Sequence, residues 1–170
     1  MGLTFTVIPP EGALPLRFGM TQAQVRRVLD GAGRFEDVTA PGGLPQLHLV
    51  DDDQAVDLYT VFTTGDQLFT IEFWRPQAGE APMALVFDGI NLFDKPADET
   101  IAVLRSRGHE VDTADEFFPN MAGHQIRFDR DEGEDRDDNG LATYFEVIMI
   151  APEHYREQYT NVHLPTIVDA

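Results

Sequence analysis

Two stretches of this chain, QVRRVLDGAG at 24–33 and ETIAVLRSRG at 99–108, superpose at a spacing of 75 residues. The superposition pairs Val28-Leu29 with Val103-Leu104, Gly33 with Gly108 and, upstream, Phe18 with Phe93. One residue more of offset lays FTIEFWRP (69–76) over FEVIMIAP (145–152). Matches that recur in the same order at a near-constant interval are the signature of repeated supersecondary units, and they limit the possible folds more than any single motif. The expected organisation is a first unit over 1–76, a linker over 77–82, a second unit over 83–152 and a C-terminal tail over 153–170. A chain of 170 residues supports one body of this kind with a shared core.

Each unit reads as a helix followed by strands. Thr21 is placed to cap a first helix carrying Val25, Val28 and Leu29 on one face, closed by Gly31 or Gly33. In the second unit Pro96 stands near the first turn, Ile101 and Leu104 form the apolar face, and Gly108 ends the helix. DLYTVFTTGDQLFTIEFW predicts a hairpin around TGD, with Phe69, Ile71 and Phe73 on the core side of its second strand. HQIRFD and ATYFEVIMI predict the matching hairpin of the second unit. The expected fold class is therefore α+β: two tandem units, each a helical segment plus an antiparallel β-sheet, packed as one body.

Charge narrows the partners. Thirty Asp and Glu against twelve Lys and Arg give a net charge of −18. Such a chain repels phosphate backbones and anionic lipid, so neither nucleic acid nor a membrane is an expected partner, while a basic protein would be drawn to it. No apolar run reaches the roughly 20 residues of a membrane helix. Cysteine is absent, which removes disulfides and thiolate chemistry, and a cytoplasmic location is the simplest expectation.

The acidic segment DRDDNGLATYFE has the spacing of a calcium loop, with Asp135, Asp137, Asn139 and Glu146 at ligand positions and Gly140 at the turn. Its flanks do not follow. LATYFEVIMI is rich in β-branched and aromatic residues and predicts a strand, so the helix that should present Glu146 is missing. With Phe145, Val147 and Met149 facing the core, Glu146 would point to the opposite face. The segment is read as a solvated hairpin connection, with no cofactor expected and calcium as the alternative.

Catalytic motifs are scarce. Ser106 is the sole serine, no nucleophile elbow or phosphate-binding glycine motif is present, and the five histidines (His48, His109, His124, His154 and His163) form no metal-binding helix pair. A small-ligand or enzymatic cleft between the two units is a further alternative. For protein contact the candidates are the acidic turn Asp51, Asp52 and Asp53 and the aromatic residues Trp74, Phe117 and Phe118.

LRFGMTQAQVRRVLDGAG resembles the helix start of the SmpA/OmlA (BamE-like) and β-lactamase-inhibitory-protein-like group, through Gly19, Met20, Thr21, Val25 and Leu29 with Gly31 or Gly33 after them. In general character the chain is also similar to bacterial immunity-type proteins, which are small, acidic and catalytically silent. The resemblance implies a scaffold whose sheet face binds protein. The lipid-anchoring cysteine and the disulfides found in parts of that group are absent here. The expected function is a non-catalytic protein-binding module, inhibitor-like or immunity-like, with an acidic surface for a basic protein partner.

Overall fold

The computed structural model of the chain describes residues 2–78 and 81–153. The first half runs β1 (Thr4–Ile8), β2 (Gly12–Leu14), β3 (Leu16–Arg17), α1 (Gln22–Val28), β4 (Arg34–Thr39), β5 (Pro45–Val50), β6 (Asp57–Phe62) and β7 (Leu68–Trp74). The second runs β8 (Ala84–Phe87), β9 (Ile90–Asn91), α2 (Ala97–Ser106), β10 (Asn120–Met121), β11 (Ile126–Asp129) and β12 (Val147–Ile150). These strands form two sheets: a small one ordered β3-β2-β1-β8-β9 and a large one ordered β10-β11-β12-β7-β6-β5-β4.

This corrects the expected fold class. The described residues are 36% strand and 13% helical, a mainly-β fold rather than a pair of helix-plus-sheet units. The physical reason lies in the pairing. β1 pairs with β8 in the small sheet and β7 with β12 in the large one, so each sheet is built from both halves of the chain. Helices of 7 and 10 residues are too short to cover a seven-stranded sheet. The small sheet covers it instead. Phe5 and Val7 of β1 and Leu85 and Phe87 of β8 join Leu47, Leu49, Leu58, Ile71, Phe73, Ile126, Phe128, Ile148 and Ile150 in one buried cluster. Phe5 meets Phe73 edge-on with ring centroids 5.0 Å apart, at the join between the sheets. Each helix lies in a connection from the small sheet to the large one.

Local expectations fare unevenly. Thr21 caps α1 in a complete capping box with Gln24. The helix buries Val25 and Leu29, whereas Val28 is 40% exposed, because so short a helix turns one narrow stripe inward. The 57–74 hairpin forms, as does the antiparallel pairing of β11 with β12. Phe69 does not join Ile71 and Phe73. A register shift between Val61 and Phe62 brings Leu68 into the main core, and Phe69 packs in a second cluster with Ala40, Leu44, Val61 and Ala151. Similarly, β12 turns Ile148 and Ile150 inward, while Met149 is half-buried on the other face. Of the expected linker, Gly79 and Glu80 lie outside the described residues, and so does the tail from His154 onward, with His163.

Candidate functional site

α2 ends on Gly108, whose positive φ of 87° lets the chain reverse, with His109 N–H donating back to the Leu104 carbonyl. The chain then reaches Asp112, which bridges to Asn120, and residues 113–119 stand out from the β10 edge of the large sheet. Two carboxylates shape this excursion. Asp112 accepts the Ala114 N–H at 2.8 Å, and Asp115 accepts the N–H groups of Phe117 at 3.0 Å and Phe118 at 3.3 Å. Each uses only its Oδ1 in these bonds. Arg105 of α2 pins the base, donating to the Val111 carbonyl and the Thr113 hydroxyl.

Between this excursion and the outward face of β11 lies an open groove of about 910 Å³, lined by Asp112, Asp115, Glu116, Phe117, Phe118 and Arg127 among others. Glu116 and Phe117 are exposed at its rim. Arg127 lies over the Phe118 ring, its guanidinium carbon 4.2 Å from the centroid. Burial holds the Arg127 guanidinium below its usual range, against the pull of Asp129, Asp115 and Glu72. The expected contact residues Phe117 and Phe118 thus belong to one feature. On the other side of Thr113 and Glu116 a smaller hollow of about 330 Å³ contains Arg105, Arg130 and Asp137.

The acidic segment is organised by an arginine that sequence reasoning missed. Arg130, its side chain 4% exposed, donates from Nε to the Ala142 carbonyl at 2.9 Å and contacts Asp98 at 2.8 Å and Asp137 at 3.3 Å. The other oxygen of Asp137 accepts the N–H groups of Asn139 and Leu141. Asp135 accepts the Thr143 hydroxyl, and Asn139 is exposed. Glu146 is buried within this otherwise solvated connection. It is 7% exposed, beneath Gly133 and 3.8 Å from Arg75, and burial pushes its carboxyl up. At Gly133 (φ +99°) a Cβ would stand 2.8 Å from Glu146 Cγ, so only glycine closes over that carboxylate. Asp135, Asp137 and Glu146 thus have separate partners and Asn139 is exposed, and among the described residues no group of three or more His, Asp or Glu is arranged to hold a metal.

The outward face of the large sheet carries a row in register, polar except at Met149: Glu36, His48, Tyr59, Glu72, Met149 and Arg127. His48 stacks flat on Tyr59 at 4.1 Å and stands between Asp57, 2.8 Å from Nε2, and Glu36, 3.5 Å from Nδ1. A carboxylate at each ring nitrogen fixes the orientation of this imidazole. Trp74 donates to Glu72 at 2.7 Å, and burial raises the Glu72 carboxyl. The outward parity of His48 and Tyr59 beside Leu47, Leu49 and Leu58 was open to reading, but the alignment of the row across six strands was not.

The remaining candidates lie apart. Asp51 closes the β5–β6 turn by accepting the Ala55 and Val56 N–H groups. Asp52 pairs with Arg34 at 3.0 Å, and Asp53 is exposed. Trp74 is on β7, and the Asp51–Asp53 turn is three strands or more from the β10 edge that carries Phe117 and Phe118. His109 and His124 meet each other and Phe87, with ring centroids 5.7 Å apart between the imidazoles. Comparison with protein-family models, with curated proteins and with solved structures finds no match to this chain.

Proposed function

We propose that the chain is a non-catalytic protein-binding module, inhibitor-like or immunity-like in character, and that the groove beside β11 receives basic side chains of a protein partner. The observation that carries this reading is the groove itself. Three carboxylates and an exposed phenylalanine surround one open concavity in a chain of net charge −18. The carboxylates attract and orient a basic surface, and the aromatic rim supplies contact area once it docks. Elsewhere the described carboxylates nearest to a site-like arrangement are committed to partners within the fold: Asp57 and Glu36 to His48, and Asp137 to Arg130.

The test is retention of a basic protein from an extract of the source cells, by wild-type protein and by a Glu116→Lys, Phe117→Ala double variant, at low and at high salt. Glu116 and Phe117 are exposed, so the variant keeps its fold. Retention at low salt that high salt releases and the variant loses is the expected result. No retention by wild type at low salt, or equal retention by the variant, overturns the proposal.

A further inference from the structure

Resting on that reading of the groove, we infer that the side chain it recognises is arginine rather than lysine, lying flat on Phe117 with its fork toward Asp115 and Glu116. Among the described residues Phe117 is the exposed large aromatic, 38% exposed, and it stands at the groove rim. Its neighbour Phe118 already shows the geometry, since Arg127 lies 4.2 Å over that ring. The same contact recurs elsewhere in the molecule, with Arg75 3.9 Å over Tyr144 and Arg26 5.2 Å over Phe35. Phe118 is taken by an internal guanidinium, whereas among the described residues no guanidinium lies over the Phe117 ring.

The carboxylates complete the argument. Asp115 holds the N–H groups of both phenylalanines with Oδ1, which fixes its carboxylate against their backbone and, among the described residues, leaves Oδ2 for a further donor. Glu116 is exposed at the rim. A planar guanidinium can lie on a ring and donate edgewise to a carboxylate at the same time. An ammonium has no flat face to stack and is more strongly hydrated. Asp112, Asp115 and Glu116 also outnumber Arg127, so the groove attracts a second cation despite the one inside it.

The experiment compares blocked oligo-arginine and oligo-lysine peptides of equal length and charge by calorimetric titration at one low ionic strength. The arginine peptide is expected to bind about threefold to fivefold more tightly, as one exposed ring–guanidinium contact allows. Phe117→Leu, which keeps apolar bulk without a ring, should abolish the preference, and Phe117→Tyr should retain it. Equal affinities, or a preference that survives Phe117→Leu, overturn the inference and leave the acidic groove standing as a site for cations. If neither peptide binds, the groove reading fails and this inference with it.

Discussion

Replacing Arg130 with methionine removes a buried charge while keeping most of the aliphatic stem, and its cost can be worked out group by group. Asp98 loses a partner but is 76% exposed, so water takes over and the loss is about 0–1 kcal/mol. Asp137 is 26% exposed and keeps two backbone donors, which sets its share at about 1 kcal/mol. The Ala142 carbonyl belongs to a fully buried residue and loses the Nε donor, at about 1–3 kcal/mol. The variant should therefore lose about 3 kcal/mol, measured as a lower urea midpoint at unchanged slope, with the melting temperature falling roughly 3 °C per kcal/mol. Arg130→Lys should recover little, because one ammonium cannot serve three acceptors spread around a guanidinium. A loss below about 1 kcal/mol, or full stability in the lysine variant, would refute the claim that Arg130 organises the acidic segment.

Two further outcomes follow from buried titrating groups. Burial, with His109 beside it, holds His124 below the ordinary imidazole range, so the unfolded chain takes up its proton first as pH falls. Its contribution to stability should be fully present above about pH 6.5 and decline below it; urea midpoints across that range should show a shallower decline for His124→Phe, which keeps a ring against Phe87, and an unchanged decline would contradict the assignment. Burial raises the Glu72 carboxyl, so its penalty is absent below the ordinary carboxylate range and complete above the raised value. Glu72→Gln, still able to accept from Trp74, should therefore be more stable than wild type at pH 7 but not at acid pH, and a loss at pH 7 would show that the charge is welcome there.

What the sequence disclosed and what it hid divide along physical lines. The Thr21 cap and the 57–74 hairpin depend on residues close in the chain, and those were readable. The order of elements was readable in part, since in each half a helix leads into large-sheet strands. Pairing was not, because the β1·β8 and β7·β12 registers bring together residues about 80 positions apart, and nothing local says that both sheets are shared. Phe69 was misplaced because a one-residue bulge reverses face parity without marking the hydrophobic pattern. The burial of Glu146 was not readable, because it depends on Gly133 and Arg75 arriving from elsewhere. Of the groove, Phe117 and Phe118 stood out as aromatic residues beside a proline. Asp112 and Asp115 did not, since in so acidic a chain nothing separates a turn-forming carboxylate from a solvated one.

Amide chemical shifts of the protein, followed while a blocked oligo-arginine peptide is added at low salt, test the groove most directly. The account predicts that the largest changes fall on residues 112–118 and on Gln125 and Arg127 of the groove floor. Changes centred instead on the Asp51–Asp53 turn or on the Asp135–Asn139 segment would contradict it, because the groove would then be one acidic surface among several.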